Sequence, residues 1–207
     1  MVVEDTRSTW VDLIRHGQPE GGQRYRGHRD DPLSHVGWEQ MRAAVEPRDH
    51  WDVVITSPLL RCRAFAQAIA DERDIPLHVE PDFKEISFGR WEGMKAEEIL
   101  ARDGDRLAAF WSDGEANPPP GGEALSAFHG RVARGWHHWV HALWGQRILV
   151  VAHGGVIRML LACVLDVPPG RLMAGLHVPY ACRSRVRMDR TDHGLLSCLM
   201  AHGEGPP

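Results

Sequence analysis

The sequence predicts a three-layer α/β/α fold with a mostly parallel central sheet. Two short apolar runs, 10–14 and 147–152, have the pattern of buried strands, and each is followed closely by a histidine and a glycine. In open α/β sheets, ligands bind beyond the carboxyl ends of the strands. We therefore expect the two histidines to share one pocket.

Length and composition are those of an ordinary globular domain. The chain has 207 residues, of which 43% are hydrophobic, and this predicts a single domain over 1–207 with loose ends at 1–8 and 203–207. The net charge of −4 gives no basic footprint for nucleic acid or an anionic membrane. We expect neither partner, and any basic pocket must be local.

The expected location is cytoplasmic. The sequence shows neither a secretory signal pattern nor an apolar run long enough to cross a bilayer. The cysteines form no CxxC pair and no close cluster, which favours free thiols in a reducing compartment, with disulfide pairing as the alternative. They are Cys62, Cys163, Cys182 and Cys198.

The first strand ends in Arg15, His16 and Gly17. The planar fork of an arginine matches phosphate or carboxylate oxygens, and a neutral histidine can act as nucleophile or base near neutral pH. Glycine lets the backbone approach a ligand closely. The charged, glycine-rich segment 20–32 follows as a loop, either solvated or in contact with substrate.

A helix is expected over 33–45, with Ser34 as its N-cap. The next strand, 52–56, leads to Ser57-Pro58, predicted as the N-cap and first residue of a second helix. Arg61 lies in the first turns of that helix. Its guanidinium is therefore expected at the carboxyl edge of the sheet, as a phosphate contact.

A short edge strand over 77–80 leads into a loop, 82–93, that is rich in carboxylates and aromatic residues. Apolar surroundings can raise the pKa of a glutamate enough to make it a proton donor. Both Glu85 and Glu92 are candidates, and the sequence does not decide between them.

The longest amphipathic helix is expected over 123–143, after two short helices over 95–102 and 107–111. Trp136 and Trp139 lie close together on it. They pack either in the core of the monomer or at the interface of a homodimer.

The same helix carries His137, His138 and His141 in an HHxxH pattern. The pattern lacks the glutamate of HExxH, and a ligand pair needs a third ligand and supporting hydrogen bonds. We therefore expect solvated or partly buried histidines and no metal.

The last part of the chain returns to the sheet. The strand over 147–152 is followed by a helix over 154–165. Two closing strands are expected over 184–188 and 195–200, around a turn at 192–194. No internal repeat or linker divides the chain.

Taken together, the motifs are Arg-His-Gly after one strand, Ser-Pro-x-x-Arg after the next, a glutamate loop, and His-Gly-Gly after a late strand. This ordered set resembles the histidine phosphatase superfamily, in the branch of phosphoglycerate mutases and small phosphatases, over about residues 10–200. The resemblance implies a phosphoglycerate mutase-like fold and a phosphomonoesterase that needs neither metal nor cofactor.

Carried over position by position, the resemblance implies that His16 is the nucleophile that becomes phosphorylated. Glu85, in its Lys-Glu-Ile context, matches the acid/base glutamate, and His153 completes the catalytic set. Phosphoryl oxygens would be bound by Arg15, Arg61, His153 and the backbone at Gly154, where a helix begins.

Within the superfamily, several segments are similar to bacterial α-ribazole phosphatases of cobalamin biosynthesis. They are 15–22, 25–27, 30–34 and 85–93. The substrate contacts implied are Gln18, Tyr25, Arg26 and Gly27. Phosphoglycerate mutases usually carry an asparagine near Gly22 and a longer basic insertion before the Pro-Gly-Gly-Glu segment, so a small carboxylated substrate is less well provided for here.

The expected activity is hydrolysis of a small phosphate monoester, α-ribazole 5′-phosphate or adenosylcobalamin 5′-phosphate. The alternatives are a broad-specificity phosphatase and a cofactor-dependent phosphoglycerate mutase. A phosphoprotein-binding module without turnover is a third hypothesis. The complete set of His16, Arg15, Arg61, His153 and a glutamate loop argues against that module.

Overall fold

A computed structural model describes residues 8–204, whose strands form one six-stranded sheet. The strands are β1 (Thr9–Arg15), β2 (Val53–Thr56), β3 (Leu77–Val79), β4 (Arg147–Ala152), β5 (Arg183–Thr191) and β6 (Gly194–Glu204). Their order is β3-β2-β4-β1-β5-β6. The first four are parallel, whereas β5 and β6 are antiparallel and form one edge. The predicted mostly parallel sheet is confirmed.

Helices cover both faces of the sheet. They are α1 (His35–Ala43), α2 (Leu60–Arg73), α3 (Ala96–Ser112), α4 (Leu125–Ala142), α5 (Gly154–Leu165) and α6 (Pro169–Gly175). Successive side chains of a strand point to opposite faces. Accordingly, Leu13 packs in the core formed with α3, α4 and α5, while Ile14 packs in the core formed with α1 and α2. The predicted three-layer α/β/α architecture is confirmed.

The start of α2 differs from the prediction. Ser34 caps α1 as expected, accepting a hydrogen bond from the Gly37 N–H. In contrast, α2 begins at Leu60, and its N-cap, Leu59, makes no side-chain capping bond. The hydroxyl of Ser57 lies 2.7 Å from Nε2 of His153. The predicted N-cap at Ser57 was wrong because α2 begins three residues later, and the Ser57 hydroxyl accepts the N–H of Leu59 in the turn before the helix.

Two helical features depend on packing that the sequence pattern did not reveal. The two short helices expected before the longest one form a single element, α3, with a kink at Asp103. The carboxylate of Asp103 accepts a hydrogen bond from the Trp91 indole. Helix α6 was not predicted, since it is short and buries a single residue, Met173, which gives no apolar periodicity.

The predicted loose ends are only partly within the described residues. Residues 1–7 and 205–207 lie outside them. Ser8 donates a hydrogen bond to Asp189, and β6 continues through Gly203 to Glu204. The C-terminal strand is therefore longer than expected.

The tryptophans of α4 are used within the chain. Trp136 is buried in the core, and the indole of Trp139 donates a 2.7 Å hydrogen bond to Glu80.

All four cysteines are free thiols. Between residues 8 and 204, no helix combines the length and apolarity needed to cross a membrane.

A buried charge cluster ties the antiparallel edge to β1. The carboxylate of Asp12, on β1, accepts hydrogen bonds from Arg183 and Arg185 of β5 and from the Trp51 indole. Arg183 also binds Asp49. Burial alone would raise the pKa of Asp12, but the hydrogen bonds from Arg185 and Arg183 outweigh burial and hold this pKa below its usual value.

We predict that Asp12→Asn lowers the free energy of unfolding at pH 7 by about 2–3 kcal/mol, because it breaks a buried ion pair while Arg183 keeps Asp49. The folded pKa of Asp12 lies below the unfolded one. The contribution of the ion pair is therefore complete above an unfolded pKa of about 3.9 and is lost as the pH falls through the folded pKa.

Urea unfolding at a series of pH values measures both effects. The control is Arg48→Gln, which removes an exposed ion pair with Glu46 and should change stability by less than about 0.5 kcal/mol. An Asp12→Asn penalty that did not shrink in acid would contradict the assignment to the ionised carboxylate.

Candidate active site

The register of two central strands brings the predicted histidines together. Arg15, the last residue of β1, pairs with Ala152, the last residue of β4. His16 and His153 are therefore neighbours at the carboxyl edge of the sheet, with ring centroids 5.2 Å apart. Both imidazoles are buried.

Gly17 allows the chain to turn directly after His16. A Cβ atom at this position would lie 2.2 Å from the carbonyl oxygen of Gly37 in α1, a distance that no side chain tolerates. The glycine therefore permits α1 to pack against the strand end and hold His16 in place.

The environment of His16 keeps its ring neutral with one free nitrogen. Nδ1 lies 2.7 Å from the carbonyl oxygen of Gly17, which can only accept, so Nδ1 carries the proton and Nε2 keeps its lone pair. Burial, followed by the charges of Arg61 and Arg15, holds the pKa of His16 well below its usual value. A neutral imidazole with a free Nε2 is the form that a nucleophile requires.

His153 is neutral for the same reasons. Burial, followed by Arg61 and His16, holds its pKa well below the usual value. Its Nε2 bonds Ser57, and the thiol of Cys62 lies 3.6 Å from the ring nitrogens. Two buried side chains, Ser57 and Cys62, thus hold the His153 ring in its orientation.

Two arginines flank His16, and each has an unused donor. Arg15 donates from Nη1 to the carbonyl of Val178, and Arg61 donates to the carbonyls of Gly27 and Arg29. The Nε atoms of Arg15 and Arg61 are buried and have no hydrogen-bond partner within residues 8–204. Since buried polar groups normally have partners, these donors indicate a site for an anion with several acceptor oxygens.

The arginines and His16 line a cavity of about 290 Å³. The predicted site residues that line it are Arg15, His16, Tyr25, Arg26, Gly27, Arg61, Glu85 and Gly154. Gly154 and Gly155, the first residues of α5, also line it, so a helix N-terminus lies at the same space. The cavity is therefore cationic on one side although the whole chain is acidic.

Two predicted substrate contacts are placed differently. Gln18 does not line the cavity: its backbone N–H donates to Gln40 and its carbonyl accepts from Ser34, so it joins the first loop to α1. Arg26 lines the cavity, but its guanidinium is bound by Asp31 and by loop carbonyls. Arg26 therefore holds the loop in shape.

The structure distinguishes the two candidate glutamates by position. Glu85 lines the cavity, and its Oε2 accepts the N–H of Gly155 at 3.0 Å. A Cβ atom on Gly155 would lie 2.2 Å from the Glu85 carboxylate, so the glycine makes room for it. Glu92 instead accepts hydrogen bonds from the backbone of His28 and Phe88 and does not line the cavity.

Arg131 of α4, which the sequence analysis missed, holds the glutamate loop. Its guanidinium donates to the carbonyls of Asp82, Lys84 and Glu85 and to the carboxylate of Glu123. A single arginine thus fixes the backbone on which Glu85 is mounted. No local motif marked this residue, because its partners lie far from it in the sequence.

Two further residues of the cavity were also missed. Arg158 lines it from α5, one turn after Gly154, and donates to the carbonyl of Leu176. The helical spacing i, i+4 from Gly154 could have indicated it. Tyr180 packs its ring 4.3 Å from the Arg15 guanidinium and against His16, and nothing in its local sequence indicated this.

The three histidines of the HHxxH pattern are exposed on α4. In the part of the chain that the structure describes, no group of three or more histidine, cysteine, aspartate or glutamate side chains could hold a metal ion.

The comparisons with known proteins agree with this geometry. The family model described as histidine phosphatase superfamily (branch 1) matches residues 11–198. The chain is 32% identical to the adenosylcobalamin/α-ribazole phosphatase of Salmonella typhimurium over 164 residues, which are 77% of this chain and 81% of that protein. It is 36% identical to a bifunctional protein of Mycobacterium tuberculosis over 177 residues, which are 83% of this chain but only 48% of that protein.

Among solved structures, the α-ribazole phosphatase from Shigella flexneri superposes with a TM-score of 0.80 at 26% identity, covering 94% of this chain and 96% of that one. The chain belongs to the histidine phosphatase superfamily, branch 1. It is accordingly a hydrolase of the phosphatase class with a phosphoglycerate mutase-like fold.

Proposed function

We propose that this protein is a metal-independent phosphomonoesterase that works through a phosphohistidine at His16 and hydrolyses α-ribazole 5′-phosphate or adenosylcobalamin 5′-phosphate. One observation carries the mechanism. The free Nε2 belongs to a neutral, buried imidazole on which the charges of Arg61 and Arg15 act, and each of these arginines has a buried, unpaired Nε.

In the first step the phosphate monoester enters the cavity, and its oxygens bind Arg15, Arg61 and the N–H of Gly154, the first residue of α5. Nε2 of His16 attacks phosphorus in line with the ester bond. The bond to the ester oxygen breaks, and Glu85 donates a proton to the departing alkoxide. The alcohol leaves, and the phosphoryl group stays on His16.

In the second step water attacks phosphorus. Glu85, now a carboxylate, accepts a proton from the water, and the N–P bond breaks. Inorganic phosphate is released and His16 is again neutral. The charge on the equatorial oxygens of each transition state is stabilised by donors already in place before the reaction, which is the largest contribution in phosphoryl transfer.

The choice of substrate rests on two supports. The first is the 32% identity to an adenosylcobalamin/α-ribazole phosphatase. The second is the aromatic part of the cavity lining, formed by Tyr25, Phe88 and Trp111, which suits an alcohol that carries an aromatic ring. Arg24, another arginine that lines the cavity, donates to the carbonyls of Gly21 and Gly93 and so helps to hold the loops around it.

Phosphate release in the presence of a chelator tests the proposal. We expect a kcat/KM for α-ribazole 5′-phosphate at least about tenfold above that for p-nitrophenyl phosphate, and no isomerisation of 3-phosphoglycerate. Equal, weak rates on all three esters would instead indicate a broad-specificity phosphatase. Isomerisation of 3-phosphoglycerate without release would indicate a mutase.

Replacing the nucleophile tests the intermediate. His16→Ala should reduce kcat at least about a thousandfold and abolish the phosphorylated enzyme trapped by acid quench, because it removes the imidazole nitrogen that attacks phosphorus. His138→Ala, on the exposed face of α4, is the matched control and should retain activity. Turnover by His16→Ala at the parent rate would exclude this nucleophile.

Comparing two leaving groups tests whether Glu85 is the general acid. Glu85→Gln should reduce kcat for an alkyl phosphate by about 10²–10⁴, the usual contribution of general acid–base catalysis. It should reduce formation of the phosphorylated enzyme from p-nitrophenyl phosphate much less, since nitrophenolate leaves without a proton. Glu97→Gln, on the exposed side of α3, is the control. Equal losses on both esters would move the acid role to another residue.

A further inference from the structure

A second cavity of about 790 Å³ lies beside the first. It is enclosed by the end of α3, the beginning of α4 and helix α6. Among the side chains and backbone that line it are Phe110, Leu125, His129, Gly170 and Ala174. No step of the proposed mechanism uses it.

The two cavities meet at a shared wall. Trp111 and Met173 line both of them. The indole of Trp111 donates a 2.9 Å hydrogen bond to the hydroxyl of Tyr25, which lines the first cavity. Trp111 is 36% exposed, and Met173 is buried on α6. A molecule bound at His16 that extends along Trp111 is therefore directed toward the second cavity.

The volumes of the two cavities indicate that a large substrate bound at His16 extends beyond the first cavity. The first cavity, of about 290 Å³, lies at the lower end of the range of about 300–1,000 Å³ that holds a drug-sized ligand. The phosphoryl group and its cations already take part of it. When the leaving group is much larger than a sugar, its distal part must therefore lie outside the first cavity.

The lining indicates the chemistry of that remaining part. Phe110 and Leu125 form an apolar surface. Asp113 and Glu115 stand at the edge, where Glu115 accepts the N–H of Ser126. Arg171 and His129 are also present, so the edge has no excess of positive charge. This lining suits an uncharged apolar or aromatic group and does not provide a second phosphate site.

We propose that the second cavity binds the distal part of the leaving group. The enzyme therefore selects phosphomonoesters of extended alcohols that carry an uncharged aromatic or apolar end. This inference rests on the proposed phosphomonoesterase function, and it assigns the end of α3 together with α6 to substrate selection.

Two esters that both release a primary alkoxide but differ in length separate the effect of substrate length from that of leaving-group reactivity. Propyl phosphate fills only the first cavity, and 8-phenyloctyl phosphate reaches the second, while both release a primary alkoxide. Because burying a phenyl group is worth at least a factor of about ten in binding, we expect the parent kcat/KM to favour the long ester at least about tenfold, below its micelle-forming concentration.

Filling the second cavity should remove this preference. Gly170→Leu adds a side chain whose Cβ would be 3.8 Å from Leu125, and Ala174→Trp enlarges a side chain that lines the cavity one turn later on α6. In each variant, the ratio of kcat/KM for the long ester to that for the short ester should fall at least about fivefold. Gly130→Leu, on α4 with open space around its Cβ and outside both cavities, is the control and should keep the parent ratio.

The outcomes distinguish the two proposals. A parent ratio near one, or a preference that survives both filling variants, overturns the second binding site while the phosphatase proposal stands. If the parent hydrolyses neither ester nor p-nitrophenyl phosphate, the proposed function fails and the inference fails with it. Two separate filling positions keep the test decisive if one variant does not fold.

Discussion

The pairing of β1 with β4 is the constraint on which the site depends. Because the two strands are parallel and end in register at Arg15 and Ala152, the residues that follow them must meet at one edge. A shift by one residue would turn His16 and His153 away from each other, since successive residues point to opposite faces. The flanking parallel strand and the Asp12 cluster fix this register from both sides.

Motifs at strand ends could be predicted from sequence because they obey a general rule of open sheets. This rule located His16, His153, Arg61 and Gly154, and the structure brings them to one edge. The pattern could not reveal Arg131, because an arginine that binds carbonyls of a distant loop looks like any surface residue of an amphipathic helix. Tyr180, Arg158 and α6 were missed for the same reason, since long-range packing gives them their positions.

Errors in the prediction have the same physical origin. Ser57 has the sequence context of an N-cap, and its hydroxyl does accept the N–H of Leu59, but α2 begins only at Leu60 and the same hydroxyl also bonds His153. Gln18 follows directly after the Arg15-His16-Gly17 turn, but its backbone joins that turn to α1. Proximity in sequence to His16 therefore does not by itself place a residue in the cavity.

The unpaired Nε atoms of Arg15 and Arg61 link stability to ligand binding. A desolvated donor without an acceptor costs about 1–3 kcal/mol, and an oxyanion that accepts from these two donors removes that cost. By mass action, any phosphate bound only by the folded state shifts the unfolding equilibrium toward that state. The product inorganic phosphate offers the same oxygens as the substrate, so the contacts that stabilise the fold also retain the product and oppose its release.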